Sequence, residues 1–384
     1  MTLPAARALL PAGFADLLPP DAAVEAGVIG RLMDRFAAQG YRRVKPPLIE
    51  FEDTLLAGPG AAMATHSFRL MDPVSRRMMA LRADMTLQVA RIAASRLAAA
   101  PRPLRLSYAG QVLRVKASEL RSERQSGQAG VELIGSDAPA GDAEVVLLAA
   151  DALAHAGVPA LSVDLTMPTL APAVAAGLGL SAEAAAALIA ALDRKDAAAV
   201  KGLAGRHGKL FAGLLAAAGP APAALERLAR LKLPAAAAVE RARLAEVAAL
   251  VMAGAPELTL TIDPVENRGF EYHSGVSFTF FARRVRGELG RGGRYLSAKG
   301  EPSTGFTLYL DSLLRALPRP ATERRLFLPA GTPRATAARL RAEGWLTVAG
   351  LDRVANPLAE ARRQDCGHAL VKGAVTSVVK RTKA

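Results

Sequence analysis

Cysteine is almost missing from this chain: Cys366 is the only one in 384 residues. A single thiol allows no intramolecular disulfide and no cysteine-rich zinc site, so a reducing cytoplasm is the expected home. Aromatic residues are scarce too, at 4%, and no lysine/arginine block is interleaved with them. Lysine supplies only 10 of the 49 basic residues. The formal charge of +14 therefore reads as a bias toward Arg, Ala and Gly, and a nucleic-acid partner is not expected. The densest basic stretch, RRVRGELGRGGR at 283–294, reads as a solvated hairpin. Long apolar runs are missing as well. The most apolar region, 165–192, is broken by Pro168, Pro172, Gly177, Gly179 and Glu183, so no membrane span is expected. The first residues, with Asp16 and several prolines, make a poor signal peptide. The histidines at 66, 155, 207, 273 and 368 form no HExxH pair, and no metal site is expected. GLAGRHGKL at 202–210 echoes a phosphate loop, but its glycine spacing is wrong and no Ser or Thr follows Lys209.

What is present is a hydrophobic content of 51%, much of it alanine, with a mean hydropathy of +0.20. The length suits two or three domains. AAVEAGVIGRLMDRFAAQG, at 22–40, has helical apolar spacing and a glycine stop at Gly40. SFRLMD and RRMMALRAD read as a hairpin joined by PVS, and 85–98 as a helix. PLRLSYAGQVLRV reads as a strand with GVELIG as its antiparallel partner. A helix over 143–157 and the strand ALSVDLT follow. Residues 177–255 read as a small all-helical insertion. Strands return in LTLTID, SGVSFTFFARR and STGFTLYL, with GRGGRY taken as the turn between the last two. LDSLLRAL is a helix. These patterns predict an antiparallel α+β core over 1–320 and, from the strand–helix alternation beyond it, a small α/β module over 321–384.

Polar residues cluster at the ends of several expected core strands. Arg82, Asp84 and Thr86 lie in LRADMT; Arg114, Arg121, Arg124, Gln128 and Glu132 in 113–135; Arg268, Glu271, Tyr272 and His273 in ENRGFEYHSG. On a strand, Gln128, Gly130 and Glu132 share one face. A glycine between two polar groups leaves room against the backbone. That segment reads either as a half-exposed hairpin strand with a bulge or as the floor for a small polar ligand. Singly, each place also has an ordinary structural reading, such as Arg82 and Asp84 as surface charges. Together they supply carboxylates and a hydroxyl for an ammonium, a carboxylate and an amide for ring nitrogens, and an arginine for a carboxylate or phosphate.

The order of these segments resembles the histidyl branch of the class II aminoacyl-tRNA synthetases over about residues 10–317. PAGFADLLP resembles the opening signature of that branch, GYRRVKPPLIE its motif 1, and LRADMTLQVAR its amino-acid-binding loop. The motif 2 register runs from Arg114 through Gln128, Gly130, Glu132 and Gly135. RGFEYHSG resembles the histidine-specific motif RGLDYY, and GRGGRY with GFTLYLDSLL resembles motif 3. Departures accompany the match. Ser312 stands where motif 3 has its phosphate-gripping arginine, with Asp311 in the glutamate position before it. Arg121 replaces the motif 2 loop glycine, Glu271 and His273 replace Asp and Tyr, and Asp84 replaces Glu. The C-terminal module is shorter than an anticodon-binding domain.

A retained amino-acid pocket beside a degraded ATP end resembles the synthetase-like regulatory subunits of ATP phosphoribosyltransferase. That resemblance implies a non-catalytic chain without cofactor that binds histidine, self-associates as a dimer, and joins the short catalytic subunit in a hetero-octamer. It would activate that subunit and mediate feedback inhibition of the first step of histidine biosynthesis. Asp84 and Thr86, assisted by Gln128, would hold the α-ammonium. Glu132 and Tyr272 would hold the imidazole, and Arg268 the carboxylate. His273 would line the wall or simply pack, and Arg114 is either a relic or an anion contact. The alternative is a divergent, active histidine–tRNA ligase.

Overall fold

The computed structural model describes residues 10–56, 63–116, 123–266, 273–297, 299–318 and 323–378. It divides into two units, Met1–Pro318 and Arg319–Ala384. In the first, helix α1 (Asp21–Ala38) buries Val28, Leu32, Met33 and Phe36, the stripe that 3.6-residue periodicity produces. It stops at Gly40, whose φ of +85° suits only glycine at no cost. Strand β1 (Arg42–Arg43) follows. Next come β2 (Ile49–Phe51), the single-turn helix α2 (Glu52–Leu55), β3 (Arg69–Met71) and β4 (Met78–Leu81). The three strands make a small antiparallel sheet in the order β2-β4-β3. Asp72 closes its hairpin turn by accepting from the amides of Val74 and Ser75, each at 3.1 Å. Helix α3 (Thr86–Ala94) leads to the paired strands β5 (Leu104–Leu113) and β6 (Gln125–Ile134). Their register runs unbroken from Leu104 opposite Ile134 to Leu113 opposite Gln125.

Helix α4 (Pro139–Ala156) is buried along most of its length and crosses behind the sheet to β7 (Leu161–Thr166). Helix α5 (Leu170–Gly177) precedes the stretch read as a helical insertion, which holds α6 (Ala182–Asp193), α7 (Ala197–Ala204), α8 (Gly208–Ala216), the two-residue β8 (Gly219–Pro220), α9 (Ala221–Ala229) and α10 (Ala235–Gly254). These helices share one core with α4 and the sheet, through Leu188, Phe211, Leu244 and Val251. Strands β9 (Thr259–Asp263), β10 (His273–Ala282), β11 (Gly290–Leu296) and β12 (Pro302–Tyr309) and helix α11 (Leu310–Ala316) complete the unit. The main sheet has the order β1-β5-β6-β12-β11-β10-β7-β9-β8, antiparallel between β5 and β7.

One expectation fails here. GRGGRY is not a turn but the middle strand β11, paired on both sides. The chain actually reverses at residues 283–289. The glycines of β11 are there for close approach: a Cβ at Gly292 would collide with the Gly305 carbonyl and the Phe278 ring.

The second unit contains β13 (Arg325–Leu328), α12 (Arg334–Ala342), β14 (Leu346–Ala349), α13 (Pro357–Arg363), β15 (His368–Val371) and β16 (Ala374–Ser377). Strands β14, β13 and β15 are parallel, as strand–helix alternation demands, and β16 pairs antiparallel with β15. The tight turn into β16 uses positive φ at Lys372 (49°) and Gly373 (81°).

Candidate functional site

The pairing of β6, β12, β11 and β10 sets one face of the sheet residue by residue. Gly130 lies opposite Thr307, which lies opposite Arg291, which lies opposite Thr279. One row along, Glu132, Gly305, Gly293 and Ser277 form the parallel line. The two central members of that line have no side chain. A depression of about 390 Å³ opens over them, walled by Asp84, Thr86, Glu132, His273, Arg291 and Tyr295. Gly305 and Gly293 cannot be filled: added Cβ atoms would strike the Glu132 carboxylate and the Ser277 side chain.

Glu132 sits at one end, 1% exposed. Tyr295 donates to its Oε2 at 2.8 Å and Tyr108 to its Oε1 at 3.4 Å. Burial outweighs these bonds and pushes its pKa up to about 8. The carboxyl therefore keeps its proton at neutral pH. Asp84 and Thr86, at the start of α3, stand beside it: the Thr86 hydroxyl bonds the Glu132 carboxyl and also reaches the Tyr108 hydroxyl at 3.3 Å. The Thr86 amide donates to Asp84 Oδ1 at 2.8 Å, and Gln128 Nε2 donates to Asp84 Oδ2 at 3.1 Å. Gln128 Oε1 accepts from the Met85 amide at 3.2 Å. The buried Gln128 amide is thus used at both ends to hold the turn that presents Asp84, and Gln128 does not line the depression.

The room expected beside Gly130 exists but is already occupied. Tyr108, directly opposite on β5, lays its ring across the glycine. Its hydroxyl reaches Thr307 Oγ1 at 2.8 Å on the far strand and Thr86 Oγ1 at 3.3 Å. The strand is buried rather than half-exposed, and the bare spot at Gly130 receives a side chain of the protein itself.

His273 is half-buried, with Nε2 above Gly293, and lines the wall. Burial and, secondarily, the charge of Arg291 lower its pKa to about 4, so it is neutral at physiological pH. Among the described lining residues, Arg291 is the only permanent cation. Arg268 and Tyr272, together with Glu271 and Arg121, lie outside the described residues. Arg114 lies beyond the lining, its Nε donating to the Ala83 carbonyl at 3.2 Å. Arg82 is no surface charge. It is 6% exposed and ties β4 to its neighbours through the carbonyls of Gln111 (2.8 Å) and Pro46 (3.0 Å). Ser312 is buried in the first turn of α11 and accepts from Arg315 Nη2 at 3.0 Å. The described residues contain no cluster of three metal-ligating side chains and no helix long and apolar enough to cross a membrane.

Tyr108, Tyr295, Thr307 and Arg291 were not anticipated as site residues. Tyr108 was within reach, because the hairpin register alone puts it opposite Gly130. The other three depend on β11 and β12 being neighbours in the sheet centre, which the turn reading of GRGGRY concealed.

The chain matches the family model described as histidyl-tRNA synthetase over residues 13–313. It is 60% identical over 378 residues to an ATP phosphoribosyltransferase regulatory subunit of Paramagnetospirillum magneticum, covering 98% of this chain and 100% of that one. A crystal structure from Bacillus halodurans, described as an ATP phosphoribosyltransferase regulatory subunit/histidyl-tRNA synthetase, is similar with a TM-score of 0.79 at 25% identity, covering 93% and 96% of the two chains. A chain of an ATP phosphoribosyl transferase complex from Thermotoga maritima shares the fold, with a TM-score of 0.59 at 16% identity over 74% of this chain and 97% of that one.

Proposed function

This chain belongs to the ATP phosphoribosyltransferase regulatory subunits, a family built on the histidyl-tRNA synthetase fold, and we propose that its depression binds free histidine and relays feedback inhibition to a separate catalytic subunit. The observation that carries this reading is the buried Glu132 carboxyl, held between tyrosine hydroxyls at the edge of a glycine floor. An imidazole laid on that floor meets a carboxyl group fixed in orientation. The α-ammonium then falls to Asp84 and Thr86, with Arg291 on the wall, and the role of carboxylate partner goes to Arg268 on the strength of the sequence motif. Tyr272 assists at the imidazole end, His273 supplies a neutral wall, and Arg114 remains an outer anion contact. The subunit works in the cytoplasm, as a dimer within a hetero-octamer with the catalytic chain, without cofactor of its own.

Coupling between equilibrium binding events is reciprocal. Histidine therefore changes the affinity of the complex for a phosphoribosyltransferase substrate, and that substrate changes histidine affinity by the same factor. The test is a histidine titration of phosphoribosyltransferase activity in complexes reconstituted with wild-type or Glu132→Gln chains. The variant is expected to activate the catalytic subunit normally and to need about tenfold or more histidine for inhibition, the loss of one charge-assisted bond. Superimposed inhibition curves would remove the site from the regulatory mechanism.

A further inference from the structure

A second concave surface lies in the helical stretch, outside the depression just described. Helices α7 and α8 and their connection border a groove of about 1790 Å³. It is lined by the half-buried Leu215 between the exposed Ala212 and Ala216, and by Lys201, Arg206 and Lys209. A fourth lining cation, Lys195, is tied to Asp263 at 2.8 Å. No acidic residue lines the groove among the described residues. Lys201, Lys209 and Ala212 are exposed.

We propose that this groove docks an acidic amphipathic helix of the catalytic subunit, an inference that rests on the regulatory-subunit reading above. Ala212 and Ala216, four apart on α8, present small side chains on one face, so that another helix can approach closely. Leu215, flanked by those alanines, offers the apolar contact for aliphatic side chains. The one-signed lining cations select carboxylates beside them and repel basic helices. A nucleic-acid strand fits less well, because no aromatic residue lines the groove to stack on a base.

The experiment measures association and dissociation rates of this chain with the short catalytic subunit at low and high salt. It compares wild type with Lys201→Glu/Lys209→Glu and, separately, Ala212→Trp. Charge reversal is expected to slow association about tenfold or more at low salt, with the difference shrinking at high salt as the field is screened. Ala212→Trp, which blocks the close approach of a helix along the alanine face, is expected to shorten the lifetime of the complex about tenfold. Histidine binding by the free chain should be unchanged in both variants, which also shows that they are folded. If wild type and variants assemble alike, the groove is not the docking surface while the regulatory reading stands. If wild type itself does not assemble, both fall. If charge reversal leaves assembly intact but abolishes RNA retention by the free chain, the occupant is nucleic acid and the inference is overturned.

Discussion

Glu132 holds its proton until about pH 8, whereas the imidazole of free histidine loses its own near about 6.5. If the bound pair shares one proton, binding between those values needs no net proton exchange. Below about 6.5 a proton must be released, and above about 8 one must be taken up. Histidine affinity is therefore expected to be flat between these limits and to fall about tenfold per unit on either side. Calorimetry across pH 5.5 to 9 checks this. Glu132→Gln should lose the alkaline limb while keeping the acid one. The same carboxyl sets a stability dependence of unusual sign. Its ordinary value is 4.5 and its folded value about 8, so the folded chain binds more protons than the unfolded one between them. Stability falls as pH rises through that window. Glu132→Gln should raise the melting temperature relative to wild type at pH 8 and leave the difference small near pH 4.5. His273 works in the opposite direction. With its pKa lowered from 6.5 to about 4, it withdraws stability as pH falls through that range, and His273→Phe should flatten that loss. Neither sign was legible in the sequence, because burial comes from strands distant in the chain. Glu132 itself was legible, as the polar exception in the apolar run VELI.

At the scale of elements, β11 decides how the site is built. Its odd positions, Arg291, Gly293 and Tyr295, face the depression, while Arg294 points behind the sheet and is 3% exposed. There Arg294 grips both oxygens of Asp142 on α4, Nη2 to Oδ1 at 2.9 Å and Nε to Oδ2 at 3.1 Å. It also bonds the Ser136 carbonyl at 2.9 Å. Arg243 on α10 joins the same carboxylate at 3.4 Å. Asp142→Ala leaves the buried Arg294 guanidinium only the largely exposed Asp137 carboxylate, at 3.2 Å, and should cost about 3 kcal/mol in denaturant unfolding. Asp142→Leu combined with Arg294→Met should recover most of that loss. The sequence announces β5, β6, β10 and β12 through strand-forming runs long enough to read. It conceals β11 because five of its seven residues are glycine or arginine, a composition that single-sequence patterns assign to turns. What makes it a strand is the tight pairing on both sides, which is tertiary.

For the whole molecule, the two units carry separate cores, the second built on Leu326, Leu328, Leu340 and Leu370. All described lining residues of the depression belong to the first unit. A chain ending at Pro318 is therefore expected to bind histidine as the full chain does, within about twofold in a calorimetric titration. Ser312, held by Arg315, offers no cation for phosphates. The full chain should therefore show no histidine-dependent ATP–pyrophosphate exchange at synthetase-like rates, on the order of 1 per second or above. The pinning of β11 has one more consequence, in time rather than in space. A strand paired on both edges and clamped from behind opens only when the sheet does. Its amide hydrogens should exchange with solvent as slowly as global unfolding permits. Histidine can then slow them only by stabilising the whole unit. Any faster, local change in exchange on adding histidine should appear instead at the start of α3, where Asp84 is held by a single turn.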